Sequence, residues 1–361
     1  MTTPTPRPGI LDLDVYVGGV SKLPGIDRVM KLSSNEGALG PSPKALAAYQ
    51  AEGAKMHRYP DGSSSGVRQA LAARYGLDAD KIVCGAGSDE LLQLLVRAYA
   101  GPGDEVLYSR HGFLIYPIAA TACGATPVAA PEVNLTASVD ALLAAVTGRT
   151  RILFLANPNN PTGTYLPLSE LRRLRAGLPA DVLLVLDAAY AEFVSEPDYD
   201  PGVALVEDTD NTVMTRTFSK LYAMGGLRLG WSYAPQAITD VLNRVRGPFN
   251  VSSAALAAGQ AAVEDAAFCD AARAHNDRWL PWMSAEIRAM GLDVVPSVAN
   301  FILVRLGSPE RAAAADAFLR SQGIIIRAMG SYGLPDCLRI TIGPEDEIKA
   351  CCAALRAFLA G

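Results

Sequence analysis

Apolar positions along the first 250 residues follow two alternating patterns. Short, almost continuously apolar runs, such as residues 151–158 and 181–190, predict buried strands. Between them lie segments with apolar residues at helical spacing, such as residues 88–100 and 168–178. Buried strands that alternate with helices are typical of a mostly parallel sheet with helices on both faces. We therefore predict an α/β fold built on such a sheet.

The pattern changes after residue 250. A long helical stretch, about residues 251 to 290, is followed by apolar runs with an alternation of their own, which predicts a smaller α+β unit. The first 40 residues are too short to form a core, so they should dock elsewhere. The predicted organisation is an N-terminal arm that completes part of the small domain (1–40), a large domain (41–250), and a small C-terminal α+β domain that includes the linking helix (251–361).

Composition narrows the function classes. The chain has 361 residues, 19% of them charged, with a formal net charge of -5 and no basic run, so nucleic acid is not an expected partner. No apolar run is long enough to span a bilayer, and the N-terminus lacks a signal-peptide pattern. We expect a cytoplasmic protein. The six cysteines and three histidines show no zinc-ligand spacing, which favours reduced, buried cysteines and no metal site.

Candidate chemistry collects where the predicted strands end. Ligands bind beyond the carboxyl ends of the strands in parallel sheets. The residues expected at this rim offer an anion cradle, an amide, a carboxylate, a phenol, hydroxyls and an amine; they are Gly85 to Ser88, Asn160, Asp187, Tyr190, Thr217, Ser219 and Lys220.

This set suits pyridoxal 5'-phosphate. The Lys220 amine can form a Schiff base with the cofactor aldehyde, and Asp187 can keep the pyridine nitrogen protonated so that the ring accepts electrons. Tyr190 and Asn160 can reach the phenolic oxygen of the ring. Nearby positive charge should lower the pKa of Lys220 and favour the neutral amine. A helix N-terminus, hydroxyls and an arginine would hold the phosphate; the candidates are Ser88, Thr217, Ser219 and Arg228.

Several motifs, in order, resemble those of fold-type I, class II aminotransferases: ANPNNPTGT, DAAYAEF, and TRTFSK followed by GGLRLGW. Four more segments are similar to those of the histidinol-phosphate aminotransferase family, namely KLSSNEGALG, HRYPDGSSSGVRQAL, FNVSSAALA and SYGLPDCLRIT. The resemblance runs over nearly the whole chain. It implies the fold of type I pyridoxal-phosphate enzymes, with the cofactor on the large domain.

The resemblance also implies roles for individual residues. Lys220 would bond the cofactor and shuttle the proton, Phe113 would stack on the ring with Tyr116 beside it, and Ala86 and Gly87 would join the phosphate site. Arg327 and Arg339 would receive the anionic end of the substrate. Residues from a second copy would complete each site, so a homodimer is implied; Tyr59 would reach the partner's cofactor phosphate, and Tyr16 the partner's substrate phosphate.

Structural roles compete with some of these assignments. Asp187 could cap a helix, residues 85–88 could be an ordinary strand-to-helix turn, and Tyr116 could be a core aromatic. Arg327 and Arg339 could form surface ion pairs. Tyr16 could likewise have only a structural role.

The expected reaction is transamination between L-histidinol phosphate and 2-oxoglutarate, which yields imidazole-acetol phosphate and L-glutamate in histidine biosynthesis. Three alternatives are an aromatic amino acid aminotransferase, a pyridoxal-dependent amino-acid phosphate decarboxylase and a non-catalytic cofactor-binding module. Two departures from the family pattern bear on substrate choice. SNEGALG stands where SNENPLG is frequent, and Arg110 and His111 occupy positions where a less charged pair is expected.

Overall fold

A computed structural model describes residues 4–15, 18, 20–26 and 28–361. Its centre is a seven-stranded sheet in which six strands run in one direction and Gly230–Tyr233 runs antiparallel to both of its neighbours. The predicted mostly parallel sheet is therefore confirmed. In spatial order the strands are Ile82–Gly85, Gly230–Tyr233, Thr212–Thr217, Leu183–Asp187, Thr150–Ala156, Glu105–Ser109 and Thr126–Ala130.

Helices cover both faces of this sheet. Most central strand residues are buried, which explains why those strands read as continuous apolar runs in the sequence. The helix after the first sheet strand buries Leu91, Leu92 and Leu95 on one side, at the spacing that predicts a helix there. The helices around the sheet are Pro43–Glu52, Ser65–Tyr75, Ser88–Tyr99, Ile115–Cys123, Val139–Ala144, Leu168–Gly177, Val203–Asp208, Gln236–Val245 and Ser253–Glu264.

A second, four-stranded antiparallel sheet lies in the C-terminal part of the chain. Its strands, in spatial order, are Asp293–Val295, Phe301–Arg305, Cys337–Thr341 and Arg327–Ala328. Helices Ala266–Ala289, Pro309–Ser321 and Glu345–Ala360 pack with it around a separate apolar cluster. The N-terminal segment docks here, as Met30–Lys31 pairs in parallel with Ile324–Ile325. The division at residues 40 and 250 stays a prediction.

One local prediction is wrong, and two strands were not predicted. The helical stretch predicted over about 251 to 290 is two helices, because the backbone leaves helical geometry at Asp265. The Asp265 carboxylate contacts Lys44 at 3.1 Å, which ties this break to helix Pro43–Glu52. Strands Thr126–Ala130 and Gly230–Tyr233 had no predicted counterpart. The first is partly exposed at the sheet edge, and the second follows a glycine-rich segment, so neither shows a long apolar run.

No helix in the described part of the chain is long and apolar enough to cross a membrane. The six cysteines are free thiols, five of them buried. Within the described ranges there is also no cluster of metal-ligating side chains.

A buried ion pair links the central sheet to the segment beyond Asp187. Arg216 Nη2 lies 2.8 Å from Glu192 Oε1, and the two side chains are 5% and 2% exposed. The Arg216 guanidinium also lies 4.2 Å from the ring centroid of Tyr75 and 5.2 Å from that of Trp231. Breaking a buried pair on one side leaves an uncompensated charge in a water-poor site.

The substitution Arg216→Met should destabilise the protein by about 3–5 kcal/mol, because Glu192 would keep a buried charge without its cation. The urea unfolding midpoint, followed by circular dichroism, measures the loss. The double variant Arg216→Met/Glu192→Leu removes both charges and should recover most of it. A double variant no more stable than the single one would show that the aromatic contacts of Arg216, not charge pairing, set the cost.

Candidate active site

One cavity between the two sheets gathers most of the predicted site residues. Its floor is the carboxyl edge of the large sheet, and its opposite wall comes from the small sheet and the N-terminal segment. The predicted residues that line it are Ser88, Phe113, Asn160, Asp187, Tyr190, Thr217, Ser219, Lys220, Arg228, Arg327 and Arg339.

Lys220 follows strand Thr212–Thr217 and points its amine into the cavity. Its Nζ donates a hydrogen bond to the Ser34 carbonyl oxygen at 3.0 Å and lies 5.5 Å from the Tyr190 ring centroid. Burial lowers the pKa of Lys220 to about 8, and the positive charge of Arg339 adds to this effect. The lowered pKa was expected from neighbouring charge alone, but burial is the larger cause and Arg228 contributes less than Arg339.

Asp187 ends strand Leu183–Asp187 and is 4% exposed. Its Oδ2 accepts a hydrogen bond from the Tyr116 hydroxyl at 2.8 Å, and its Oδ1 accepts one from Thr215 Oγ1 at 3.3 Å. Burial raises the pKa of Asp187 to about 6, against the effect of these hydrogen bonds. Within the described ranges, no lysine, arginine or histidine forms a salt bridge with it. A buried carboxylate of this kind fits a ligand that brings its own cationic N–H.

An anion cradle lies where helix Ser88–Tyr99 begins. Gly87, with φ of 83°, precedes the helix, and a Cβ atom built on it would lie 2.4 Å from Arg228 Nη2. A Cβ atom on Gly230 would lie 2.2 Å from the Ser88 amide nitrogen. The two glycines therefore let a guanidinium and a strand approach the helix N-terminus closely, where amide groups and the helix dipole favour an anion.

Hydroxyls complete the cradle. Thr217 Oγ1 donates to Ser219 Oγ at 2.9 Å, and both residues line the cavity with Ser88. Arg228 contacts the exposed Asp89 carboxylate at 3.2 Å. Ala86 does not line the cavity, and its amide donates to Glu90 Oε2 at 2.6 Å. That N–H is therefore already used within the chain.

Two arginines face each other on the opposite wall. Arg327 and Arg339 are directly paired residues of antiparallel strands, so their side chains project from the same face of the small sheet. Arg339 is 6% exposed and donates to the Ser33 carbonyl oxygen at 2.8 Å and to the Asn160 side-chain oxygen. Like charges directly opposite each other on a sheet are unfavourable. An anion bound between them would offset that repulsion.

Aromatic side chains form the remaining walls. Phe113 is half-buried at the cavity, and Tyr116 is fully buried behind it with its ring stacked on Phe154 at 4.6 Å between centroids. Tyr116 is therefore a core aromatic rather than a cavity wall. The Tyr190 hydroxyl accepts a hydrogen bond from Asn35 Nδ2 at 2.9 Å. Burial raises the pKa of Tyr190, against a smaller opposite effect from Arg339.

The segment Ser33–Glu36 lines the cavity but had no predicted site role. Asn35 is 1% exposed, has a φ of 55°, and its carbonyl accepts from Asn300 Nδ2 at 3.1 Å. The available signal was the polar run SSNE in KLSSNEGALG, a segment that carries the resemblance and bears on substrate choice but from which no contact was predicted for these residues. Asp89, Pro158 and Tyr332 were also missed as lining residues.

Tyr59, Arg110 and His111 do not line the cavity. Tyr59 is 83% exposed and stacks on Phe249 at 4.7 Å between ring centroids. Tyr16 lies outside the described residues. Arg110 is exposed, and His111 Nδ1 contacts the buried Glu132 carboxylate at 2.7 Å. His111 therefore anchors the loop that leads to Phe113 and does not enter the cavity itself.

Known proteins resemble this chain over its full length. Residues 27–355 match the sequence profile of the family "Aminotransferase class I and II". The chain is 66% identical over 361 residues to the histidinol-phosphate aminotransferase of Paramagnetospirillum magneticum, covering 99% of each chain. It is 59% identical over 362 residues to that of Rhodospirillum centenum, covering 100% of each.

A solved structure agrees with these matches. The crystal structure of histidinol-phosphate aminotransferase from Sinorhizobium meliloti, in complex with pyridoxal-5'-phosphate, superposes with a TM-score of 0.91 at 28% identity and covers 99% of each chain. Together with the cavity that joins Lys220, Asp187 and Arg339, these matches show that the chain belongs to the class I and class II aminotransferases.

Proposed function

We propose that this protein uses pyridoxal 5'-phosphate to transfer the amino group of L-histidinol phosphate to 2-oxoglutarate, giving imidazole-acetol phosphate and L-glutamate in histidine biosynthesis. The observation that supports this substrate most directly is the pair Arg327 and Arg339, which lie directly opposite each other on the cavity wall that faces the Lys220 amine. The names of the relatives support the same substrate. We further propose a cytoplasmic location, as expected of a biosynthetic enzyme.

The cavity fits the cofactor in three respects. The cradle at Gly87 and Ser88 matches a phosphate, the buried Asp187 carboxylate matches a protonated pyridine nitrogen, and Lys220 offers an amine of lowered pKa. When bound, pyridoxal phosphate supplies an aldehyde that bonds amines and a ring that accepts electrons from the carbon beside the nitrogen. Asn160 and Tyr190 would bond the ring oxygen, and Phe113 would cover a ring face.

The phosphate site would combine backbone and side-chain donors. The N–H groups at the start of helix Ser88–Tyr99 and the Arg228 guanidinium supply the charge complement. The hydroxyls of Ser88, Thr217 and Ser219 lie at the same rim. Gly87 allows the close approach of Arg228, whereas Ala86 would have to release Glu90 before its own N–H could take part.

Lys220 would move the proton. Its Nζ, when neutral, can take the proton from the carbon that bears the substrate amine, and can return a proton in the second half of the reaction. The Ser34 carbonyl gives Nζ a fixed acceptor 3.0 Å away, which holds the amine over the cavity. The lowered pKa keeps an appreciable neutral fraction near neutral pH.

The two arginines would select the substrate. A phosphate monoester bound between Arg327 and Arg339 would place negative charge between two cationic side chains that lie opposite each other on the sheet. A carboxylate of glutamate or 2-oxoglutarate can use the same pair, which lets one site serve both half-reactions. The carboxylate of an aromatic amino acid would bring one negative charge to the two guanidinium groups, whereas a phosphate monoester brings nearly two at neutral pH. This favours histidinol phosphate over aromatic amino acids.

We also propose that two copies form a dimer with shared sites. Met56 and Tyr59 are 82% and 83% exposed, and Phe249, stacked on Tyr59, is 47% exposed. Adjacent exposed apolar side chains of this size are typical of protein interfaces. In the dimer, the Tyr59 hydroxyl would reach the cofactor phosphate of the other copy, as the family resemblance implies.

The reactivity of Lys220 should report its lowered pKa. In the cofactor-free folded protein, trace labelling with acetic anhydride should rise with pH around a midpoint of about 8, because only the neutral amine reacts. The same lysine in the urea-unfolded chain should show a midpoint near the ordinary lysine value of about 10.4. Peptide mass spectrometry measures both profiles. Identical midpoints in the two states would contradict the role of burial.

Removing either Arg327 or Arg339 should impair substrate binding far more than cofactor binding. In Arg327→Ala and Arg339→Ala, kcat/KM for histidinol phosphate should fall by about 10- to 100-fold, the loss typical of a hydrogen bond to a charged group. The cofactor dissociation constant should change little. Arg305→Ala is the matched control, since Arg305 lies on the same sheet and pairs with the exposed Asp293. Equal losses of substrate and cofactor affinity would argue against the proposed site.

Sedimentation should show a dimer in the cofactor-loaded protein. Tyr59→Phe removes one hydroxyl from the interface, so the dimer should persist while cofactor affinity falls several-fold. Tyr49→Phe, at a residue that is 43% exposed, is the control and should change neither property. A fully active monomer would refute the shared site.

A further inference from the structure

Tyr116 occupies a position that the roles above leave unused. It lies on helix Ile115–Cys123 and is 1% exposed. Its ring stacks on that of Phe154, with centroids 4.6 Å apart and an interplanar angle of 2°. The Phe113 ring is edge-on to it, with centroids 6.1 Å apart and an interplanar angle of 85°. These contacts on either side fix the direction of the phenol. Its hydroxyl ends 2.8 Å from Asp187 Oδ2, so the side chain joins the cavity's carboxylate to the aromatic ring at its wall.

The direction of this hydrogen bond follows from the chemistry of the pair. An ionised carboxylate only accepts, so the phenol must donate. Burial, reinforced by Asp187, raises the pKa of Tyr116 well above its ordinary value, so the phenol keeps its proton at neutral and moderately basic pH. Thr215 Oγ1 donates to the other oxygen at a longer 3.3 Å, which makes Tyr116 the closer of the two side-chain donors.

We propose that Tyr116 is a positioning residue that keeps Asp187 ionised and aimed into the cavity, and thereby holds the proton on the pyridine nitrogen of the bound cofactor. The inference rests on the proposed pairing of Asp187 with that nitrogen. A proton shared between the nitrogen and Asp187 lies on the nitrogen only while the carboxylate is the weaker base. Burial works against this, because it destabilises the carboxylate. The phenol offsets burial by stabilising the charged form.

The contact with Phe113 gives Tyr116 a second effect. Phe113 lines the cavity, and its ring is held edge-on by the ring of Tyr116. One side chain thus sets both the carboxylate expected at the ring nitrogen and the aromatic wall expected over the ring face. Tyr116→Phe separates the two effects, because it deletes the hydroxyl and keeps the packed ring.

The test uses protein loaded with pyridoxal phosphate labelled with ¹⁵N in its ring, whose ¹⁵N resonance distinguishes protonated from neutral nitrogen. In Tyr116→Phe the pH at which the nitrogen loses its proton should fall by about one unit, the equivalent of one hydrogen bond to a charged group. Cofactor affinity should fall by about tenfold for the same reason. Thr215→Val should shift both quantities in the same direction and by less.

Tyr108→Phe is the matched control. The Tyr108 ring lies 6.3 Å from that of Tyr116 in the same aromatic group, and its hydroxyl does not bond Asp187, so neither quantity should change. Asp187→Asn, measured in parallel, should leave the nitrogen neutral. If the ring nitrogen is neutral in Asp187→Asn but Tyr116→Phe behaves like Tyr108→Phe, the inference about Tyr116 is wrong while the role of Asp187 stands. If Asp187→Asn leaves the nitrogen protonated, the role of Asp187 fails and the inference fails with it.

Discussion

In the proposed reaction, the site depends on keeping one lysine amine partly out of water while leaving it free to react. Lys220 Nζ has a single carbonyl acceptor at Ser34 and no carboxylate salt bridge within the described ranges. A carboxylate partner would stabilise the ammonium form, whereas burial and the charge of Arg339 favour the neutral amine. Strand Thr212–Thr217 delivers the lysine, the N-terminal segment supplies its acceptor, and the small sheet supplies the arginine. Three distant parts of the chain therefore have to meet at one atom.

The cavity lies between the two sheets because hydrogen bonds join the small sheet and the N-terminal segment to the rim of the large sheet. Arg339 extends from the small sheet to the Ser33 carbonyl and to Asn160 at the rim of the large sheet. The Asn35 side-chain amide reaches from the N-terminal segment to the Tyr190 hydroxyl. The Asn35 backbone N–H donates to Thr341 Oγ1 at 2.9 Å. These polar contacts between the small sheet, the N-terminal segment and the large sheet fix the position of Arg339 relative to Lys220. In the proposed reaction, these contacts would set the distance between the anionic end of the substrate and its reacting carbon.

Much of this arrangement could be predicted from the sequence. Continuously apolar strands alternating with amphipathic helices indicated a buried parallel sheet, and the polar residues that end those strands necessarily share one rim. This reasoning predicts Lys220, Asp187 and Asn160 at the rim, and all three line the cavity. The contribution of Ser33–Glu36 could not be predicted, because its long-range contacts join residues between 155 and 306 positions apart, and such contacts leave no periodicity in the chain. The hydrogen bond from Tyr116 to Asp187 was hidden for a similar reason, since its helix reads simply as apolar core.

The most direct measurement of the central claim is a single half-reaction. Protein loaded with pyridoxal phosphate is mixed rapidly with L-histidinol phosphate, and separately with L-phenylalanine, while the visible absorption of the bound cofactor is followed; Lys220→Ala is the control. The account predicts rapid loss of the band with histidinol phosphate, slow loss with phenylalanine, and no proton transfer in the Lys220→Ala protein. Equal rates with both amino donors, or undiminished reaction without Lys220, would contradict it.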